Sequence, residues 1–387
     1  MTGSGKHTEI ADDWSPIAVL PNLPLSKQIG SSVAALAPFE DKRIRSLCDS
    51  RPRLRSFLGR FSDSFGERFE PTVLLIRSDA SPELRTAEAV ASFRNLIALS
   101  AITYSRSLEL RHPSGHRVLF GEAFAIYPWM LSKDWKELIG NTPALTAIHQ
   151  VGKFRGQSSP SISRVTLDIG SIDQPLASSL MKRWRRRYES KAPTWADVSL
   201  FRSLNMAYHA SFLPGGTEAT FYDVGRLISL WVSTFEILVH PGGNGFANRD
   251  KVFALLEKTS WKLVESRNAS YDTGGKNVVK RTLASWLYQS LHDCRNNFLH
   301  GNPVKREDLF LPICDRTIFQ YAPSLYRIAL TSFLPLTAPR LDKGRADSKL
   351  LGRRIARRIA FESPQKRTEE ALLTAVKPPA GRRRAVR

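Results

Sequence analysis

The chain has 387 residues, 42% of them hydrophobic and 10% aromatic, and carries a formal net charge of +21. That length exceeds what one hydrophobic core usually organises, and that apolar content excludes a wholly disordered chain. So large a positive excess points to a polyanionic partner, because Lys and Arg displace counterions from phosphates, but charge alone does not separate RNA from DNA or anionic lipid.

Residues 1–33 are polar and punctuated by Pro and Gly, and read as a flexible arm. The first residues lack the basic and apolar regions of a secretory signal, and no apolar run approaches the roughly 18 residues that span a bilayer. The expectation is a cytoplasmic protein without a membrane span. Cys48, Cys294 and Cys314 are few and far apart, with no CxxC pair. They read as small buried hydrophobes in a reducing compartment, not as a disulfide framework or a zinc site.

From 34 to 199 the pattern mixes α and β. Residues 72–77, Thr-Val-Leu-Leu-Ile-Arg, form a continuous apolar run expected to be a buried strand, and Ala87, Val90, Phe93, Arg94 and Ile97 recur at helical spacing within 83–99. Residues 116–120, 124–127 and 163–168 are further strand candidates, separated by turn clusters at 111–115 and 156–160. A dense basic knot follows at 182–188, where Lys182, Arg183, Arg185, Arg186 and Arg187 interleave with Trp184 and Tyr188. Guanidinium and aromatic planes stack on single-stranded bases, which makes this knot a candidate RNA-binding segment. The alternative is a solvated helix face with both aromatics turned inward.

From 200 to 336 the pattern becomes helical. Val224, Leu227, Ile228, Trp231, Phe235 and Leu238 repeat at three and four, and His240-Pro-Gly-Gly243 ends that helix. A second helix is expected over 249–265. A third is expected from 276 to His300, with Gly301 and Pro303 beyond it, and a fourth over 313–334, kinked or split at Pro323. Four helices with short links suggest a four-helix-type bundle. The fold class expected is therefore α+β: a mixed α/β N-terminal domain over 34–199, an all-α bundle over 200–336, and a basic, largely disordered tail over 337–387. From Lys343 the tail carries 14 Lys or Arg against 4 Asp or Glu. Within it Leu351, Ile355 and Ile359 recur every four residues among Arg353, Arg354, Arg357 and Arg358, a pattern able to form a basic amphipathic helix on a partner such as RNA or a membrane surface. The last residues, 377–384, are expected to stay disordered.

The string Cys294-Arg-Asn-Asn-Phe-Leu-His-Gly-Asn302 carries the functional reading. Arg followed by His five positions later is weak by itself, and it recurs at Arg111 and His116 in a Pro- and Gly-containing loop. The context of Arg295 and His300 differs, because both lie in the last turns of an amphipathic helix ahead of a Gly cap. Five helical residues leave the two side chains about 140° apart, yet a long Arg and a His in the final turn can converge on one phosphate.

This string resembles the Arg-Asn-x-x-x-His-Gly motif of HEPN domains, the Apea-like group in particular. In that group an earlier helix carries a tryptophan-to-glutamate segment, here Leu230 to Leu238 with Trp231 and Glu236. The resemblance covers about residues 200–336. It implies a metal-independent endoribonuclease without cofactor, dimerising so that two motifs line one cleft, with the N-terminal domain sensing or restraining it, and a toxin or antiviral defence role. RNA supplies its own nucleophile, the 2′-hydroxyl. His300, with an ordinary pKa of about 6.5, is the proton-transfer candidate. Arg295 is the group that neutralises the phosphate, Asn296 orients the histidine or bonds the phosphate, and Glu236 holds Arg295 or tunes His300. Structural alternatives stand beside these: Arg295 pairing with Glu236, His300 as a helix-terminal residue, His292 and His240 as surface or turn residues, and Trp231 as core. The rival function is a non-catalytic module that binds nucleotide or RNA or scaffolds a partner. No GxxxxGK[ST] or HExxH motif is present.

Overall fold

A computed structural model describes residues 13–63, 66–112, 118–127, 130–132, 137–141, 146–150, 156–157, 166–212, 220–273, 278–314, 316–339 and 348–377. The chain forms two compact units: residues 1–98, 119–171 and 181–193, and residues 99–118, 172–180 and 194–387.

The first unit is mixed α and β. Strands β1 (Trp14–Leu20), β2 (Ile29–Gly30), β3 (Ala34–Ala37) and β5 (Thr72–Arg77) form an antiparallel sheet in the order β1-β5-β3-β2. β5 is flanked on both sides, and Val73, Leu74, Leu75 and Ile76 are all buried, which is why its sequence is an unbroken apolar run. The sheet starts inside the segment expected to be a flexible arm; antiparallel pairing with β5 and the burial of Trp14 and of Ala18 to Leu20 give this strand a fixed register. Helix α1 (Lys42–Ser50) is capped by the Asp41 carboxylate, which accepts from the Arg43 amide, and α2 (Pro52–Leu58) opens on a proline in its first turn. Their inner faces place Leu47, Cys48, Leu54 and Phe57 in one core with Val73 and Leu75. Phe61 of β4 (Phe61–Ser62) packs edge-on against Phe57 and Tyr127, at 5.4 and 5.1 Å. A three-stranded antiparallel meander, β6 (Met130–Leu131), β7 (Glu137–Asn141) and β8 (Thr146–Gln150), and a two-residue strand β9 (Gly156–Gln157), parallel to β4, complete it.

Several expected elements shift. The helix expected over 83–99 is a short 3-10 turn at Pro82–Arg85 followed by α3 (Ala87–Arg111), which ends twelve residues beyond the apolar repeat. Residues 124–127 are not a strand: Gly121–Phe124 is a 3-10 turn, and Phe124 is buried. The strand candidates at 116–120 and 163–168 lie partly outside the described residues, as do the 111–115 cluster and His116.

The second unit is helical. Helices α5 (Trp195–Ala210), α6 (Phe221–Leu238), α7 (Arg249–Leu256), α9 (Leu283–Leu299) and α10 (Ile318–Phe333) pack around Trp231, Phe235, Phe253, Tyr288 and Tyr326. Rings meet at 5.2 Å (Phe235 and Tyr288), 5.6 Å (Phe235 and Tyr326) and 5.8 Å (Trp231 and Tyr326). The buried Tyr326 hydroxyl meets Ser203 Oγ at 2.7 Å, so the polar tip of a core ring is satisfied. Trp231 is core, as its spacing indicated.

The bundle differs from its sequence pattern at three places. The helix expected over 249–265 ends at Leu256, where Thr259 Oγ1 bonds the Leu256 carbonyl, and a separate short helix α8 (Val264–Asn268) follows. The next helix starts at Leu283, not near 276, because Thr282 caps it by accepting from the Ser285 amide; a two-residue hairpin, β10 (Tyr271–Asp272) with β11 (Lys280–Arg281), precedes it. α10 runs unbroken through Pro323, whose neighbours Tyr321, Ala322, Ser324, Leu325 and Tyr326 are all buried. Core packing outweighs the one lost backbone hydrogen bond.

The largest departure is the tail. Ser348–Leu373 is a helix, α11, and Phe361, Ala371, Leu372 and Ala375 near or beyond its midpoint are buried. The expectation of disorder fails here because the second half of α11 carries its own apolar face and a set of polar anchors. Glu369, fully buried, accepts from the Lys262 and Leu263 amides at 2.9 and 2.7 Å and from Gln365 Nε2 at 2.9 Å. Gln365 accepts in turn from Arg327, whose Nε donates to Asp173 Oδ2 at 2.6 Å. Residues 378–387 lie outside the described residues, and with them most of the expected disorder at 377–384.

Candidate functional site

α6 and α9 build the site. α6 starts at a capping box, with Thr220 and Asp223 exchanging hydrogen bonds across the first turn. α9 ends at Leu299, where His300 is the terminal residue, its amide bonding the Asn296 carbonyl, and Gly301 follows at φ +67. That left-handed position is the reason for a glycine there. The two helices close tightly where Phe298 lies over Gly225: any Cβ at 225 would stand 2.5 Å from the ring. Phe221 packs at a tilt against the same ring at 5.4 Å, and the exposed Tyr222 meets it edge-on at 6.4 Å. This contact fixes the end of α9 two residues before His300.

One turn earlier, Glu236 of α6 faces Arg295 of α9. The guanidinium NH2 donates to both carboxylate oxygens, at 3.2 and 3.1 Å, and both side chains remain about one-fifth exposed. Arg295 NH1 also donates to Asn296 Oδ1 at 3.0 Å. With its oxygen so engaged, Asn296 turns its amide nitrogen towards His292 Nδ1 at 3.3 Å, a hydrogen bond only when that ring nitrogen is unprotonated. His292 Nδ1 lies 3.7 Å from Asp293 Oδ1. Burial by itself would raise the Asp293 carboxyl, but the neighbouring His292 and the Gln289 amide that donates to it hold it below the usual carboxylate range. Near the pair, the buried Tyr288 hydroxyl is pushed well above its ordinary pKa by burial and by the Glu236 carboxylate, and it has no hydrogen-bond partner among the described residues.

Glu236, Arg295 and Asn296 are therefore brought together. His300 is on the same helix but exposed at its end, and its ring bonds none of the three. His292, read from the sequence as a surface residue, joins the cluster. Its position three before Arg295 and four before Asn296 is the helical spacing that would have found it.

The basic knot at 182–188 lies on α4 (Gln174–Glu189). Trp184 is fully buried, its indole donating to the Ala89 carbonyl at 2.8 Å against Phe93, so it is removed from the base-stacking set. Tyr188 is buried too, bonded to Ser92, and burial pushes its hydroxyl up to about 12. Arg187 crosses to Glu88 at 3.3 Å and lies over the Tyr188 ring, and Arg183 is half-buried. Lys182, Arg185 and Arg186 remain exposed, with Arg185 bonded to Glu189. The inward-turned alternative holds for the aromatics because they occur four residues apart on the helix face that packs.

On α11, Arg353 and Arg357 are exposed, and Arg354 and Arg358 are half-buried, Arg358 bonding Glu362 at 2.9 Å. A shallow cleft of about 350 Å³ along that helix is lined by Arg111, Ile359, Glu362, Ser363, Lys366, Arg367 and Glu370 and includes none of the α6–α9 residues. Among the described residues no His, Cys, Asp or Glu side chains gather as a metal-binding group, and no helix is long and apolar enough to cross a membrane. All three cysteines are free and buried.

No protein-family model, no curated protein and no solved structure matches this chain.

Proposed function

We propose that the helical unit is an endoribonuclease of the HEPN type, with Arg295 and His300 at its active site. The observation that carries this reading is the arrangement at the end of α9. A guanidinium is held in place by Glu236 and Asn296, and an exposed imidazole ends the same helix before a left-handed glycine. In the reaction the 2′-oxygen loses its proton and bonds the adjacent phosphorus. The phosphorus–O5′ bond breaks, and the departing oxygen gains a proton. The products are a 2′,3′-cyclic phosphate and a 5′-hydroxyl. His300 performs one of the two proton transfers, and Arg295 balances the charge that builds on the phosphate oxygens. Glu236 and Asn296 orient Arg295, whose fork would otherwise be free to rotate. Two copies paired through the helical unit would supply two histidines to one cleft. Exposed Lys182, Arg185 and Arg186 offer further phosphate contacts. A role as a regulated toxin or defence effector follows from the chemistry, since unrestrained RNA cleavage harms the cell that makes it.

The second reading, a binding module without catalysis, draws on the same ion pair: Glu236 already balances Arg295, as a purely structural staple between helices would. One experiment separates the two. The full-length protein and its His300→Ala variant are incubated with mixed RNA in EDTA, and the products are tested for 2′,3′-cyclic phosphate ends. Cleavage by the parent, reduced at least about a hundredfold in the variant, is expected. Equal cleavage by both removes His300 from the reaction. Salt-sensitive binding without cleavage by either favours the binding module.

A further inference from the structure

The first half of α11 has an amphipathic surface whose aliphatic side is exposed among the described residues, with Ile359 also edging the cleft beside Arg111. Leu351, Ile355 and Ile359 are 37%, 40% and 61% exposed. Spaced at four residues, they occupy an arc of about 80°. Gly352, Ala356 and Ala360, all exposed, widen that face on one side. Arg353 and Arg357 occupy the opposite side, and Arg354 and Arg358 flank the aliphatic stripe. From Phe361 the same helix changes environment: Phe361, Pro364, Gln365, Thr368, Glu369 and Leu372 are buried. One end of α11 is thus anchored in the helical unit, while about three turns present bare aliphatic side chains to water. Burying them would release free energy in proportion to the area covered.

We infer that these turns are a docking surface for an anionic lipid bilayer, lying in the plane of the headgroups with Leu351, Ile355 and Ile359 inserted and the arginines at phosphate level. An aliphatic face backed by arginines is the pattern of an interfacial helix, whose binding combines apolar burial with attraction to anionic lipid. Two other occupants fit the surface less well. RNA would gain from aromatic stacking, and the helix has no aromatic residue before Phe361. Aliphatic side chains gain nothing from phosphate. A second copy would bring Arg353, Arg354, Arg357 and Arg358 against the same four charges, with no acidic residue on the helix until Glu362. The inference is independent of the ribonuclease reading.

The test is flotation of the full-length protein with vesicles of phosphatidylcholine alone, and of roughly equal parts phosphatidylcholine and phosphatidylglycerol, at physiological salt. Flotation with the anionic vesicles only is expected. Arg353→Gln and Arg357→Gln should each weaken it about fivefold. The combined variant Leu351→Ser, Ile355→Ser, Ile359→Ser should abolish it while leaving RNA affinity unchanged. All five side chains are exposed, so folding is not at stake. As a second readout, an Ile359→Trp variant should shift its emission to the blue with anionic vesicles and not with neutral ones. Undiminished flotation of the combined variant overturns the inference. So does loss of RNA affinity in that variant, which would make this a nucleic-acid surface. A change in its oligomeric state by light scattering would assign the face to a second copy instead.

Discussion

Phe298 and Gly225 set the geometry of the candidate site at the scale of single residues. The ring occupies the volume a side chain at 225 would need. Gly225→Val should therefore cost about 1–3 kcal/mol by denaturant unfolding, as overpacked contacts do. On the proposed ribonuclease reading it should also lower RNA cleavage more than a comparably destabilising change elsewhere, because it displaces the end of α9 and with it His300. Unchanged stability would mean the two helices separate more easily than their packing indicates. The cysteines make a different case. Burial pushes the Cys294 thiol up to about 12 and the Cys48 thiol up to about 11, so neither is a nucleophile at neutral pH. An alkylating reagent at pH 8 should leave both unmodified in the native protein and label both once the chain is unfolded. Rapid labelling of Cys294 in the native state would show that the end of α9 opens.

At the scale of elements, α11 is tied to the helical unit through a buried polar network. Arg327 and Asp173 are 1% and 0% exposed and 2.6 Å apart, and Arg327 continues to Gln365 and on to Glu369. A buried charge left without its partner is strongly destabilising, so Asp173→Ala should cost about 3–5 kcal/mol. The double variant Asp173→Leu, Arg327→Met removes both charges and should recover most of that loss. Equal instability of the double variant would show that the pair's hydrogen bonds, not its charges, carry the effect. α9 differs in kind, because it depends on local signals at each end. Thr282 caps its start, Gly301 ends it, and between them Leu283, Leu287, Leu291 and Cys294 face the core. That division leaves Arg295 and Asn296 on the flank, where Glu236 of α6 meets them.

For the whole molecule, the net charge of +21 is the dominant long-range property. On the proposed RNA-handling reading, affinity for RNA should fall steeply with salt, by about tenfold or more between 50 and 200 mM if only a few phosphates are contacted. Neutralising Lys182, Arg185 and Arg186 together should flatten that slope without abolishing cleavage, whereas Arg295→Ala should remove cleavage with little change in slope. A slope unaffected by the α4 variant would assign the polyanion contacts to other basic residues.

Sequence by itself determined what local rules govern. The apolar run at 72–77 is a strand, the three-and-four repeat at 224–238 is a helix, and Gly301 ends α9, because residue-level preferences and periodicity act over a few neighbours. It also gathered Glu236, Arg295, Asn296 and His300 as one set, of which hydrogen bonds join the first three and leave His300 apart. What the sequence left open depends on partners distant in the chain. Trp184 was open between a stacking surface and an inward-packed ring until Ala89 and Phe93 covered it, and His292 looked solvent-facing until Asn296 turned towards it. The tail had too little apolar content to read as folded, yet Asp173, Arg327 and the amides of Lys262 and Leu263 hold its second half. Those contacts join residues up to 154 apart. A buried polar network of that span exists only once the chain has folded, and no local pattern records it.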